Sequence, residues 1–332
     1  MLKFVVSLLT VVVLLPASVS SSAPQDTPSP SHPLTVGVLR RDGVVVPFAS
    51  HDGERWSHIW REPAVAMVRE AAPALSDVPK PWWPTASPVL IWAAWPLSER
   101  ARIIAIEKAT VISPWCVVQI GLQSTYKSAE AVPTAEERPF PKDGIAADGP
   151  AAVRPLTVLD PTTADWRIVT EALALPVLKS ETEHARHGGV RSKKASDQRE
   201  RAGTRFTLEV LVRADAPVPG LSLYYFEGTK RYVGPPLTLW GGEQRPCDRI
   251  TFAKGWVHRL SDGTFASNVF VTSTDCTRAG LTNTLPLAAL TVADKPFWIV
   301  QESDPIGERY KILDAADPKF SAVLETIGGW CR

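Results

Sequence analysis

The sequence lacks the short motifs that identify many common enzyme classes. Its 332 residues contain no Gly-x-Ser-x-Gly, His-Glu-x-x-His, Gly-x-Gly-x-x-Gly or Walker sequence. Nothing therefore supports a nucleophile-elbow hydrolase, a zinc peptidase or a nucleotide-binding enzyme. Ser124-Thr125-Tyr126-Lys127 matches Ser-x-x-Lys, but the companion sequences Ser-Asp-Asn and Lys-Thr-Gly are absent. We predict no cofactor, leave the catalytic residues unknown and favour a protein that is not an enzyme.

An excess of charge of either sign is also missing. Lys and Arg together number 36 and Asp and Glu 35, so the net charge is +1. Proteins that bind nucleic acids usually present a strong positive field to the phosphates, which this composition does not supply. We therefore predict no nucleic-acid partner.

Closely spaced cysteine pairs, which structural metal sites usually contain, are absent too. The four cysteines are far apart in the chain, and we predict no metal site. An even number of separated cysteines in an exported chain favours disulfides. We favour Cys247 with Cys276, at the open end of a predicted hairpin 250–274, which leaves Cys116 with Cys331. The other two connectivities, or a buried free thiol, remain alternatives.

Long apolar runs are confined to the N-terminus. Lys3 precedes an apolar run at 4–15, which Pro16 ends before the roughly 20 residues that a spanning helix needs. Small residues follow, and cleavage after Ser22 fits them. We predict a signal peptide at 1–22, a Pro/Ser-rich linker at 23–33, a secreted or periplasmic protein and no later transmembrane segment. An uncleaved signal anchor is the alternative.

Alternation of apolar and polar residues with a period of two dominates the rest of the chain. Phe206, Leu208, Val210 and Val212 share one face of the clearest example. Asp-Gly turns separate several such segments, as in antiparallel hairpins. We predict a mainly β fold of antiparallel meanders (barrel, sandwich or propeller-like) with one to three short helices. The predicted strands are 35–39, 44–49, 89–95, 102–112, 115–120, 205–213, 221–226, 237–240, 249–260, 264–273, 285–292, 297–301 and 309–313.

Helical spacing is found in three places. Thr162 to Asp165 resembles a capping box, and the pattern after it predicts a helix near 164–175 that Pro176 ends. Weaker patterns predict helices at 62–72 and 318–327. Segment 128–155 is interpreted as a loop, and 180–205 as a charged flexible loop with too little apolar surface to order. This gives a β-rich first half at 34–179 and an antiparallel second half at 206–332, integrated with the first.

Tryptophan is the unusual residue, with 12 copies against five tyrosines. Trp82 and Trp83 lie between two prolines and are candidates for stacking on a ligand. His51 and His258 are candidate pocket histidines, although each is also explained by turn structure or burial. We predict a binding or interaction protein whose partner is an extracellular glycan or an envelope protein. The alternative is a secreted hydrolase or carbohydrate-active protein with a Trp-lined cleft, in which two or more of the acids Asp160, Glu302 and Asp304, or His51 and His258, meet.

Overall fold

Nineteen strands and two helices make up the part of the chain that the computed structural model describes. That part comprises residues 33–59, 91–97, 100–113, 115–148, 152–154, 156–187, 198–215, 221–234, 236–238, 242–245, 247–276, 278 and 280–331. The elements of the first half are β1 (Leu34–Arg40), β2 (Val44–His51), β3 (Trp56–His58), β4 (Ile91–Pro96), β5 (Arg102–Ile112), β6 (Gln119–Ser124), β7 (Lys142–Asp148), β8 (Ala152–Arg154), β9 (Thr157–Val158) and the helix α1 (Ala164–His187).

The second half begins with the short helix α2 (Gln198–Gly203) and continues almost entirely in strands. These are β10 (Thr207–Asp215), β11 (Ser222–Tyr232), β12 (Leu237–Thr238), β13 (Gln244–Arg245), β14 (Arg249–Arg259), β15 (Phe265–Asp275), β16 (Asn283–Val292), β17 (Lys295–Asp304), β18 (Gly307–Asp314) and β19 (Ala322–Trp330). The prediction of a mainly β, antiparallel fold is confirmed.

Six strands of the first half close into a barrel in the order β1-β7-β4-β5-β6-β2, because β1 also pairs with β2. Every pairing around it is antiparallel. Large side chains such as Trp92, Ile106 and Leu122 fill its interior beside small ones such as Ala146. This mixture of sizes packs a narrow interior.

Two five-stranded antiparallel sheets follow. The barrel-side sheet has the order β19-β18-β17-β16-β8, and the helix-side sheet has the order β15-β14-β11-β10-β9. The outer surface of the barrel packs on one face of the barrel-side sheet through residues such as Val36 and Ile299. The other face packs on the helix-side sheet through Trp298 and Trp256, and α1 covers the far face of that sheet. The layers therefore run barrel, sheet, sheet, helix.

This layering explains the burial of the middle strands. Strand β17 is buried over five consecutive residues and β11 over two runs, because both sheets are covered on both faces. A sheet that faces water on one side would instead show buried and exposed residues in alternation.

Two interfaces between layers each enclose a buried lysine, glutamate and tyrosine. In the barrel group, Lys142 Nζ lies 3.1 Å from both carboxylate oxygens of Glu308, and the Tyr310 hydroxyl donates to the same carboxylate at 2.8 Å. In the helix group, Lys230 Nζ donates to Glu181 at 2.9 Å and the Tyr232 hydroxyl donates at 2.6 Å. All four charged side chains are at most 4% exposed.

Several sequence predictions are wrong in detail. The helix predicted near 164–175 continues through Pro176 to His187, because Val169, Leu173 and Val177 extend one apolar stripe across the proline onto the helix-side sheet. The segment 180–205, predicted as a flexible loop, therefore includes the end of α1 and all of α2.

Two other predicted segments also differ. The predicted loop 128–155 contains β7, a barrel strand whose small residues Gly144 and Ala146 hid its pattern. The predicted helix 318–327 gives way to β19, which pairs with β18 and buries Leu324 and Thr326 on one face. The predicted strand 115–120 begins later, as β6. The helix predicted at 62–72 lies outside the described residues.

Candidate functional site

A cleft of about 420 Å³ opens between the two sheets where their apolar packing ends. This volume lies in the lower part of the range of about 300–1,000 Å³ for small-molecule sites. Polar side chains and aromatic rings share its lining. The polar side chains are Lys254, Thr272, Thr282, Thr284, Glu302 and Lys311, and the aromatic ones are Tyr225, Phe252, Trp256, Phe270 and Phe320.

One row of side chains crosses the helix-side sheet at the level of the cleft. Lys254 on β14 lies directly opposite Glu227 on β11 and directly opposite Phe270 on β15. Directly opposed residues in an antiparallel sheet have Cβ atoms about 4.5–5.5 Å apart. The strand register therefore places an acid, a cation and an aromatic ring side by side.

The ammonium group of Lys254 is held by neutral oxygens. It donates to the Thr282 carbonyl oxygen at 3.0 Å and to the Thr284 hydroxyl at 2.7 Å. Among the described residues no carboxylate oxygen lies within 4.0 Å of it, although Glu302 and Glu227 lie near enough to favour its charge. Burial nevertheless lowers the pKa of Lys254. Since an ammonium group has three N–H donors, one is left for a ligand.

The opposite wall holds a paired cation. Lys311 on β18 contacts Glu302 on β17 at 2.7 Å and Glu325 on β19 at 3.4 Å. All three side chains are partly exposed. The charge of Lys311 is therefore shared between two carboxylates at the edge of the cleft.

Tyr225, which lines the cleft, forms a pair with Glu227 on the same strand. The Tyr225 hydroxyl donates to the Glu227 carboxylate at 2.5 Å. Burial raises the pKa of Glu227 above its ordinary value, and the nearby charges of Lys254 and Arg278 only partly offset this. Burial and the adjacent carboxylate also raise the pKa of Tyr225. We call Lys254, Glu227 and Tyr225 the cleft group.

The aromatic lining has one exposed ring. Phe270 on the edge strand β15 is 52% exposed, whereas Phe252, Trp256 and Phe320 are buried. Phe320 stacks on Trp256 with a centroid separation of 5.0 Å and an interplanar angle of 20°. Phe320 thus closes one end of the cleft, and Phe270 remains at its mouth.

The structure places His51 away from the cleft. Its ring is buried at the end of β2, edge-on to Trp56 with centroids 4.9 Å apart. The Gly53 amide donates to its Nδ1 atom at 3.0 Å, so that atom carries no proton. Burial lowers the pKa of His51. Packing and turn structure account for this residue.

His258 lies on the same face of β14 as Lys254 and Trp256, on the far side of Phe320. It is buried on β14, with its ring 4.6 Å from the ring of Phe320. Burial lowers its pKa, and its Nε2 atom has no hydrogen-bond partner among the described residues. Phe320 separates this histidine from the cleft.

Of the three predicted acids, only Glu302 reaches the cleft. Asp160 accepts hydrogen bonds from Thr162 before α1, and Asp304 accepts amide hydrogen bonds in the turn between β17 and β18. The constellation predicted for a hydrolase is therefore not assembled. Trp82 and Trp83 lie outside the described residues. Within the described part of the chain, no group of three or more His, Cys, Asp and Glu side chains is arranged to hold a metal.

The two disulfides join the pairs that the sequence favoured. Cys247–Cys276 bridges the open end of the β14–β15 hairpin, and Cys116–Cys331 joins residues 215 apart in the sequence. Cys247 is buried and Cys116 is exposed. The long-range bridge attaches the end of β19 to the segment between β5 and β6.

Sequence reasoning missed most of the cleft. Lys254 occupies the same face of β14 as Phe252, Trp256 and His258, so it is a charged residue at a core-facing position of an alternating strand. A lysine at such a position needs a special environment. The sequence shows this break in the alternation, but it does not show which strand of the other sheet faces Lys254.

Comparisons with known proteins are uninformative for this chain. No protein-family model matches it, and neither a curated protein nor a solved structure resembles it detectably. The proposal of a function therefore depends on the residues and geometry of the cleft.

Proposed function

We propose that this is an exported binding protein whose cleft between the two sheets holds part of an extracellular glycan. The observation that supports it most directly is the cleft lining. An ammonium donor and threonine hydroxyls lie beside the exposed ring of Phe270. Sugars present hydroxyl groups at their ring edges and apolar C–H faces, which suit such a mixed lining.

Export is supported by two independent features. The N-terminal sequence has the pattern of a signal peptide, and both disulfides suit an oxidising compartment. Among the described residues, no helix is both long enough and apolar enough to span a membrane.

Binding is favoured over hydrolysis by the carboxylates. Glycoside hydrolysis ordinarily needs two carboxyl groups on either side of the scissile bond. Of the described residues that line the cleft, Glu302 alone is acidic, and Lys311 contacts it at 2.7 Å. Glu227 accepts the Tyr225 hydroxyl and is not among the lining residues. A secreted hydrolase is therefore the second candidate function, after glycan binding.

A glycan array tests the proposal. We expect the purified protein to bind a subset of glycans, and F270A to lose that binding because the stacking surface is removed. L175A is the matched control, since Leu175 is a 73% exposed apolar residue on α1, outside the cleft. W82A/W83A tests the separate prediction that these two tryptophans stack on the ligand.

Three results would count against the proposal. An array without any bound glycan would contradict it, as would F270A that binds like the wild type. Release of reducing ends from a bound polysaccharide, lost in E302Q, would favour the hydrolase instead.

A further inference from the structure

We propose that the cleft selects sugars that bear a carboxylate, such as uronic acids, and that Lys254 binds the carboxylate. This inference rests on the proposed function and deepens it, because it names the class of glycan. It follows from the way in which the cleft group differs from the two buried groups of the same composition.

In both buried groups the lysine contacts its carboxylate. The separations are 3.1 Å between Lys142 and Glu308 and 2.9 Å between Lys230 and Glu181. In the cleft group, the lysine and the glutamate are directly opposed on neighbouring strands, but no contact within 4.0 Å joins them. Glu227 instead accepts the hydroxyl of Tyr225. The cleft thus holds a lysine that lacks the carboxylate contact its two counterparts have.

The lining also leaves one cation available to an anion. Two lysines and one glutamate face it, and Lys311 already contacts both Glu302 and Glu325. Of the two described lysines that line the cleft, Lys254 is the one that no carboxylate contacts. A ligand carboxylate near its third N–H would form the charge-assisted hydrogen bond that is missing.

The position of Phe270 narrows the ligand to a sugar acid. The ring lies directly opposite Lys254 on the neighbouring strand and is exposed at the mouth of the cleft. In a uronic acid the carboxylate projects from the edge of the pyranose, while the faces of the ring carry C–H groups. A sugar stacked on Phe270 would therefore direct its edge, and the carboxylate, toward Lys254 and Thr284.

Isothermal titration calorimetry with matched ligands tests this inference. The probes are D-glucuronate and D-galacturonate, their neutral counterparts glucose and galactose, and acetate. We expect the uronates to bind about 10-fold more tightly than the neutral sugars or more, because one charge-assisted hydrogen bond is added. Acetate should bind far more weakly than either uronate, since it has no ring to stack.

Variants assign the effect to Lys254. K254M should bind uronates no more tightly than neutral sugars, and K254R should retain part of the preference for uronates. K295M is the matched control, because Lys295 is an exposed lysine at the start of β17 and is not part of the cleft lining. If K254M does not fold, the ligand comparison on the wild type and K254R decides the question.

The outcomes separate this inference from the proposed function. Equal binding of uronates and neutral sugars would overturn the inference and leave the glycan-binding proposal intact. Acetate or a peptide carboxylate that binds as tightly as a uronate would overturn the assignment to sugars. A uronate preference that survives in K254M would overturn the role of Lys254. Absence of binding to every sugar here and on the array would contradict both proposals.

Discussion

The described part of the protein contains three lysine–glutamate–tyrosine groups, one at each interface between the four layers, and they differ in solvent access. The barrel group and the helix group are enclosed, with direct contacts between lysine and carboxylate. The cleft group has the same residue types, yet its lysine and glutamate do not touch and its lysine faces a cavity. The comparison teaches that the same residues can lock two layers together or remain available to a ligand. The packing around the three residues decides between these two outcomes.

The largest expected effect is in the barrel group. E308Q leaves the ammonium group of Lys142 buried without its counter-charge, so we expect the free energy of unfolding to fall by about 3–5 kcal/mol. Urea denaturation measures the change. The double variant K142M/E308Q should recover much of the loss because neither charge remains. A loss below about 1 kcal/mol, the size typical of exposed pairs, would show that the group is not enclosed.

The helix group should behave similarly but less severely. E181Q removes the carboxylate that accepts from Lys230, Tyr232 and Thr251, while Lys230 keeps the Arg201 carbonyl oxygen as an acceptor. We expect a loss of about 3 kcal/mol in the free energy of unfolding. E183Q, at an exposed position on the same helix, is the control and should be nearly neutral. Equal effects of the two variants would contradict the contrast between buried and exposed carboxylates.

The cleft group should contribute little to stability. K254M removes a partly exposed cation that contacts only neutral oxygens, so we expect the free energy of unfolding to change by about 1 kcal/mol or less. The same urea experiment checks this value beside E308Q. A loss as large as that of E308Q would make the cleft lysine structural, and the distinction between locked and available groups would then be wrong.

The smallest expected effect is the pH dependence due to Glu227. Burial raises its pKa in the folded protein above the ordinary 4.5, so the folded state binds more protons than the unfolded state above that pH. Stability then falls as the pH rises from about 4.5 through the folded-state pKa of Glu227. E227Q should therefore match the wild type at pH 4 and exceed it in stability at neutral pH.

Unfolding curves between pH 4 and 8 measure this difference. E130Q, at an exposed loop position, is the control and should follow the wild type throughout. A wild type that gains stability relative to E227Q as the pH rises would show that Lys254 and Arg278 outweigh burial at this carboxylate.

Much of the architecture was predictable because it depends on local patterns. Period-two alternation indicated most of the strands. The first residues of α1 followed from the capping pattern, in which the Thr163 hydroxyl accepts a hydrogen bond from the Trp166 amide. The disulfide pairs followed from the position of Cys247 and Cys276 around one hairpin. Each of these features lies within a short stretch of sequence or follows from it by elimination.

The remaining features depend on tertiary contacts. Pro176 normally ends a helix, but here packing of Val177 and Glu181 against the helix-side sheet outweighs the missing hydrogen bond. Small residues hid β7, and the buried Thr326 hid the alternation of β19. The cleft was hidden because Lys254, Glu302 and Lys311 come from strands that only sheet packing brings together.

The bridge between Cys116 and Cys331 has a consequence for mechanical load. If the chain is pulled at β1 on one side and beyond Cys331 on the other, force passes through the sulfur atoms and bypasses everything between them. The bypassed loop spans 215 residues, so about 700–770 Å of extended length stays hidden at roughly 3.3–3.6 Å per residue. This loop contains both sheets, α1, the cleft and the barrel strands β6 and β7. These elements would bear no load until the Cys116–Cys331 bond is reduced.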